Sequence, residues 1–379
     1  MTERQTPGRP LTECHITESR RAGASRASAS LVGLFATLTL IVATQATEIA
    51  AQQSEATSPM SWAQFRQLDR VAPDHRVQWG AEAEQFGELY LPAALSPTPT
   101  PTPVAIVVHG GCWLSIADVS YMTHFARRIA DAGWAVWVPE FRRADMPGGS
   151  WPGMMTDLAA ATDHLRGLAS DFALDLDRVV TLGHSSGGHL ALWLAARPQL
   201  SDMDAPETAA RLRGAQPIEP KAVIGLAAIA DLDDYEARAG GGCGPDAVPT
   251  MLSSSASGAS GDDPGIATTS AGPPVPLEVR RRLSQPGLHL PANLPVRLIT
   301  GEQDVIVPVA HNEVFAAGQG AAVEVVAVPD AGHFEVVAPW TSPFEVVWAV
   351  IEPVLDGVFP TVGTSGARPD AGPEAGGAR

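Results

Sequence analysis

One serine in this chain sits where an aliphatic run turns into an apolar helix. Arg178–Leu182 leads straight into Gly183-His184-Ser185-Ser186-Gly187, followed by Gly188 and a helical stretch, His189–Arg197, stopped by Pro198. Gly-x-Ser-x-Gly between a strand and a helix makes a turn too tight for flanking side chains and pushes the central hydroxyl out above the sheet. A serine hydroxyl is a weak nucleophile at neutral pH, so it needs an adjacent base that is itself oriented by an acid. In the chain order Ser, Asp, His, both partners lie downstream. Val296–Thr300 ends in Gly301-Glu302-Gln303-Asp304, and Val323–Val328 ends in Pro329-Asp330-Ala331-Gly332-His333. Asp304 and His333 each fall just past a strand end and are expected as acid and base to a Ser185 nucleophile. Asp330 and Glu302 are rival acids. A turn aspartate and a surface histidine are the readings without chemistry.

Attack on a carbonyl creates an oxyanion, and removing one of its hydrogen-bond donors costs about 10²–10³ in rate. Val104–Val108 opens into His109-Gly110-Gly111-Cys112-Trp113, a Gly-rich turn whose backbone N–H groups suit that role together with the residue after the nucleophile. Gly110, Gly111 and Ser186 are the expected donors, with Cys112 in place of one glycine as the alternative. Trp113 and Trp151, in loops at the carboxyl ends of strands, are candidates for a substrate pocket. Trp134 and Trp137, within a strand, belong to the core. Glu140-Phe141-Arg142-Arg143 reads as charges paired internally, with Asp157, to brace the loops. His184 and His189 match no metal-binding spacing, so no metal is expected.

These residues need elements to hold them. Unbroken apolar runs at Val104–Val108, Trp134–Val138, Arg178–Leu182, Ala222–Ile229, Val296–Thr300 and Val323–Val328 suit strands buried on both faces. Between them lie helical stripes, Met122, Phe125, Ala126, Ile129 and Ala130, then Met155, Leu158, Thr162 and Leu165. Alternation of this kind gives a mostly parallel sheet with helices on both faces and places sites at the carboxyl ends of the strands.

The ends separate from this body. Arg4, Arg9, Arg20, Arg21 and Arg26 precede a 13-residue apolar run, Leu31–Ala43, shorter than the ~20 residues needed to span a bilayer as a helix. Residues 1–51 are expected to be a basic N-terminal region and signal peptide, cleaved after Ala46 or Ala51, and the protein to be exported, periplasmic or secreted. An uncleaved membrane anchor is the alternative. Residues 52–360 form the expected catalytic domain and 361–379 a disordered tail. The Pro-rich stretch at 96–103 reads as a stiff loop, and a Gly/Ser/Ala/Pro-rich segment beginning at 240 reads as a lid-like or flexible insertion reaching toward 290. The formal charge of −17 argues against a nucleic-acid partner. Three cysteines are too few for a disulfide scaffold. After export, Cys112 and Cys243 remain and could pair, tying the insertion to the Gly-rich turn; two free thiols is the other reading.

The segments His109–Trp113, Glu140–Arg143, Trp151-Pro152-Gly153, Asp157, Gly183–Leu190 and Gly332-His333-Phe334 together resemble the α/β-hydrolase superfamily. More narrowly they resemble its esterase/kynurenine-formamidase-like group, which includes the BD-FAE-like feruloyl esterases. The resemblance runs from about 77 to 358 and is poor from 240 to 290, where substrate preference is normally shaped. It implies a serine hydrolase without metal or organic cofactor, acting on small carboxylic esters through an acyl-enzyme. The same machinery would serve an arylformamidase acting on N-formylkynurenine. A non-catalytic binding module on the same fold is the reading from another class.

Overall fold

The computed structural model describes residues 58–93, 101–238, 241–254, 274–319 and 322–358. Every element below lies within Pro59–Arg379. The expected signal peptide, the Pro-rich residues 94–100, the middle of the insertion at 255–273 and the tail lie outside the described residues. Among those described, no helix is long and apolar enough to cross a membrane.

Eight strands form one sheet: β1 (His75–Gln78), β2 (Phe86–Tyr90), β3 (Thr102–Val108), β4 (Ala135–Pro139), β5 (Leu174–His184), β6 (Ala222–Leu226), β7 (Val296–Gly301) and β8 (Val323–Val328). Their order is β1-β2-β4-β3-β5-β6-β7-β8. β1 and β2 run antiparallel to their neighbours, and every pairing from β4 through β8 is parallel. Parallel neighbours require crossovers, and helices supply them.

The aliphatic runs feed both faces because side chains alternate along a strand. Val104, Ile106 and Val108 of β3 enter one core layer, whereas Ala105 and Val107 enter the other. The first layer is closed by helices Gly153–Asp163 and Ser186–Ala196, through Met154, Leu158, Leu190 and Trp193. The second is closed by helices Thr123–Asp131 and Ser342–Val358, through Phe125, Ile129, Phe344 and Trp348.

β8 departs from the expectation of a strand buried on both faces. It is the edge of the sheet, and Glu324 and Ala327 are exposed. Its Val-rich sequence is compatible with a half-covered edge as well as with a buried strand. The beginning and end of the insertion are ordered. Helices Ala247–Met251 and Leu277–Ser284 flank it, and the second is fastened by the Trp193 indole N–H donating to the Leu283 carbonyl at 2.9 Å.

Candidate active site

β5 ends at His184, and the helix Ser186–Ala196 begins two residues later, with Ser185 between them at φ 57°, ψ −124°. Such a conformation is costly for a residue with a side chain and persists where its surroundings dictate it. Here they do. A Cβ on Gly183 would lie 2.1 Å from the Gly187 carbonyl oxygen, and one on Gly187 would lie 2.3 Å from that of Val108. The Ser185 N–H donates to Leu226 at 2.9 Å, and its carbonyl accepts from Ile229 at 3.1 Å. The elbow is therefore clamped between β3 and β6.

Asp304 and His333 meet beside it. The Asp304 carboxylate accepts His333 Nδ1 at 2.7 Å on one oxygen, and the Ile306 and Val307 N–H groups at 2.8 and 2.9 Å on the other. In the neutral ring, donation from Nδ1 to Asp304 leaves Nε2 as the acceptor. The rivals fall away: Asp330 and Glu302 are both exposed, and Asp330 occupies a turn at φ 56°.

Ser185 and His333 share a cavity of about 160 Å³, lined also by Trp62, Gly111, Ile116, Tyr121, Ile306 and Phe334. Among the described residues, no side chain that can carry charge near neutral pH lines it apart from the rings of His184 and His333. His184 donates through Nε2 to the His333 carbonyl at 2.9 Å, while its Nδ1 faces the Tyr121 hydroxyl at 3.2 Å. Burial, reinforced by the nearby His333 ring, holds His184 well below the ordinary histidine range. It thus stays neutral beside the His333 ring. Burial pushes the Tyr121 phenol up, so it remains a hydroxyl.

The Gly-rich turn is left-handed over three successive residues, Gly111 (φ 112°), Cys112 (φ 55°) and Trp113 (φ 60°). It is fixed from several sides. The Trp113 N–H donates to Ser186 Oγ at 3.2 Å, and its indole N–H to His189 Nδ1 at 3.2 Å. Cys112 forms a disulfide with Cys243. His109 Nε2 lies 3.1 Å from the buried Glu140 carboxylate, which also takes the Arg143 guanidinium and, at 3.1 Å, the Val119 N–H. Burial works against an ionised Glu140, but the interactions with His109 and Arg143 and the hydrogen bond from the Phe141 N–H outweigh it and hold the carboxyl below its usual range. Arg142 pairs with Asp157 at 2.8 Å, so the charged stretch braces loops as its sequence suggests.

Two expectations need correction. Gly110 was expected to present a free N–H, but that group donates to the Tyr121 hydroxyl. A Cβ at Gly110 would come within 2.5 Å of the His184 carbonyl and 3.0 Å of Ser185 Cβ, so the glycine serves close packing. Gly111 lines the cavity in its place, and Ser186 stands at the first position of its helix, where N–H groups lack intrahelical acceptors. Trp113 and Trp151 do not line the cavity. They are 1% and 3% exposed, and the Trp151 indole N–H is taken by Ser284 Oγ at 3.0 Å. Both loops fold back onto the core because a buried indole needs an acceptor, and His189 and Ser284 supply one each. The aromatic wall comes from Trp62, Tyr121 and Phe334, of which only Phe334, next to His333, falls in a segment that the sequence singles out. Among the described residues, no group of three or more His, Cys, Asp and Glu side chains is placed to hold a metal ion.

The parallel sheet, the strained elbow at Ser185 and the Asp304–His333 pair past β7 and β8 define an α/β-hydrolase fold. Residues 88–263, a little under half of the chain, match the BD-FAE family model. That match ends before Asp304 and His333. Esterase B from Lactobacillus rhamnosis superposes with a TM-score of 0.57 at 20% identity, over 85% of this chain and 95% of that one. Est2 from Thermogutta terrifontis does so with 0.54 at 17%, over 75% and 94%. A carbohydrate esterase from gut microbiota gives 0.56 at 17%, over 76% and 97%. Among curated proteins, a 158-residue stretch is 26% identical to the non-reducing polyketide synthase Preu3 of Preussia isomera, covering 40% of this chain and 6% of that one.

Proposed function

We propose that the protein is a serine hydrolase of small, uncharged carboxylic esters. The observation that carries this reading is the 2.7 Å contact of His333 with the carboxylate of Asp304, at the wall of a cavity that Ser185 also lines. Ser185 Oγ attacks the ester carbonyl carbon as His333 Nε2 takes its proton. The carbonyl oxygen becomes an oxyanion within reach of the Gly111 and Ser186 N–H groups. Collapse breaks the bond to the alkoxy oxygen, which leaves as the alcohol with the proton from His333. Water then attacks the acyl-enzyme, giving its proton to His333, and the acid departs as Ser185 regains a proton. Asp304 fixes the ring and stabilises the imidazolium at each stage.

The apolar lining supports an uncharged substrate. An amino-acid-like formamide such as N-formylkynurenine would bring an ammonium and a carboxylate into a cavity whose described lining offers, besides two histidine rings, no acidic or basic side chain. Est2 has been solved with butyrate and with propionate bound, and esterase B with a tributyrin phosphonate, which supports short acyl groups here. The Cys112–Cys243 disulfide supports export, since such bonds persist in oxidising compartments.

Diethyl p-nitrophenyl phosphate tests the nucleophile. Ser185 Oγ displaces p-nitrophenolate from phosphorus, so peptide mass spectrometry should find one diethylphosphoryl group, on Ser185. An unmodified Ser185, or a label on another residue, would contradict the reading.

A further inference from the structure

Trp62 lies upstream of the matched region 88–263, yet it lines the cavity with Ser185 and His333. It opens a one-turn helix, Trp62–Phe65, capped by Ser61, whose hydroxyl accepts the Gln64 N–H at 3.3 Å while the Gln64 side chain accepts the Ser61 N–H at 2.9 Å. This segment is fastened to the turn that carries His333. One oxygen of the Glu335 carboxylate takes the Met60 N–H, and the other takes the Gly332 N–H at 3.0 Å. Pro59 presses on the same turn so closely that a Cβ at Gly332 would lie 2.4 Å from the proline Cβ. Aromatic contacts complete the seat. The Trp62 ring stacks on Phe334 at 5.4 Å and meets Tyr121 edge-on at 5.4 Å, while Phe65 packs on Phe334 at 5.5 Å.

Glu335 is 7% exposed, and both hydrogen bonds just named go to backbone N–H groups, one on each segment. A buried carboxylate used this way couples the two segments, since losing either donor leaves charge poorly solvated. Trp62 itself remains half-buried, with part of its ring left to face a ligand. Ile116 and Ile306 add aliphatic surface to the same cavity.

We infer that Trp62 is a specificity-determining residue: the strap Pro59–Phe65, locked to the His333 turn by Glu335, places its indole against the apolar substituent of the ester and so sets which substituents are accepted. This rests on the esterase reading above and assigns part of its selectivity to a segment outside the matched domain. Closing a small cavity with an aromatic face favours a substituent large enough to touch the ring and excludes chains too long to fit beneath it. Glu335 acts through the strap as a positioning residue.

The test uses the full chain with p-nitrophenyl acetate, butyrate and octanoate, and compares wild type with Trp62→Ala, Trp62→Phe and Glu335→Gln. Trp62→Ala should lower the butyrate-to-acetate ratio of kcat/KM about tenfold and raise the octanoate-to-butyrate ratio, with the change carried mainly in KM. Trp62→Phe should restore most of the wild-type profile, which a loss of fold would not allow. Glu335→Gln should shift the ratios in the same direction as Trp62→Ala. Wild-type turnover with unchanged ratios in Trp62→Ala would overturn the inference and leave the esterase reading standing. Absence of turnover from folded wild type would instead strike that reading and this inference together.

Discussion

The Ser186 hydroxyl accepts the Trp113 backbone N–H at 3.2 Å, so the residue after Ser185 holds the Gly-rich turn beside it. Two loops 73 residues apart in sequence are thereby registered to each other at the point where an oxyanion would form. Trp113 has φ 60°, a conformation that a bulky side chain resists, and this hydrogen bond helps to impose it. Ser186→Ala keeps the backbone N–H but removes the acceptor. A net loss of about 1 kcal/mol from one hydrogen bond predicts a roughly five- to tenfold fall in kcat with little change in KM. Steady-state kinetics on p-nitrophenyl butyrate reads the split, and a pure KM effect would count against it.

The disulfide joins Cys112 and Cys243, 131 positions apart in sequence, and holds the second left-handed residue of that turn. Cys112→Ser/Cys243→Ser should lower unfolding free energy by about 2–5 kcal/mol. The denaturant midpoint measures this. Because Gly242 lines the cavity next to Cys243, kcat should fall as well. Stability and rate equal to wild type would show that the turn holds itself.

Much of the candidate site was legible because its residues sit at the carboxyl ends of apolar runs. Ser185, Asp304 and His333 each follow such a run, and the strands formed there: Val296–Thr300 became β7 and Val323–Val328 became β8. What was illegible depends on contacts distant in sequence. Trp113 and Trp151 look like pocket residues from their loops, and only the positions of His189 and Ser284 show that their indoles are drawn inward. Trp62 enters the site through Glu335, 275 residues from Met60, and no local pattern signals that. Gly110 was misassigned because the Tyr121 hydroxyl that takes its N–H sits in a different segment.

His189 makes stability depend on pH. Burial holds it down to about 4, against partial support from the Ser284 carbonyl and Asp231. The unfolded chain, with a histidine near 6.5, binds more protons between these values, so the contribution is present above pH 6.5 and lost as pH falls toward 4. The shift corresponds to about 3 kcal/mol. His184, also buried and neutral, acts in the same direction. Unfolding free energy measured from pH 7 to 4 should fall less steeply in His189→Gln than in wild type. Parallel curves would contradict the assignment.

Arg197 is fully buried and clasps Asp163 with two hydrogen bonds, at 2.9 and 2.7 Å. Asp163 also accepts the Ile218 N–H at 3.1 Å. Asp163→Ala strands the buried guanidinium; because Asp163 is itself partly exposed, the cost is expected at or below the ~3–5 kcal/mol of a fully buried pair. Chemical denaturation should show a loss of that size. A change below about 1 kcal/mol would mean that water or the Ala159 carbonyl satisfies the charge.

The central claim is that Ser185, activated by His333 and Asp304, cleaves esters through an acyl-enzyme. The most direct measurement is the initial rate of p-nitrophenyl butyrate hydrolysis by the full chain alongside Ser185→Ala, with folding checked by circular dichroism. Turnover in wild type that falls by at least about 10³ in the variant is the predicted result. Equal rates in the two folded proteins would show that the hydroxyl at this elbow is not the nucleophile.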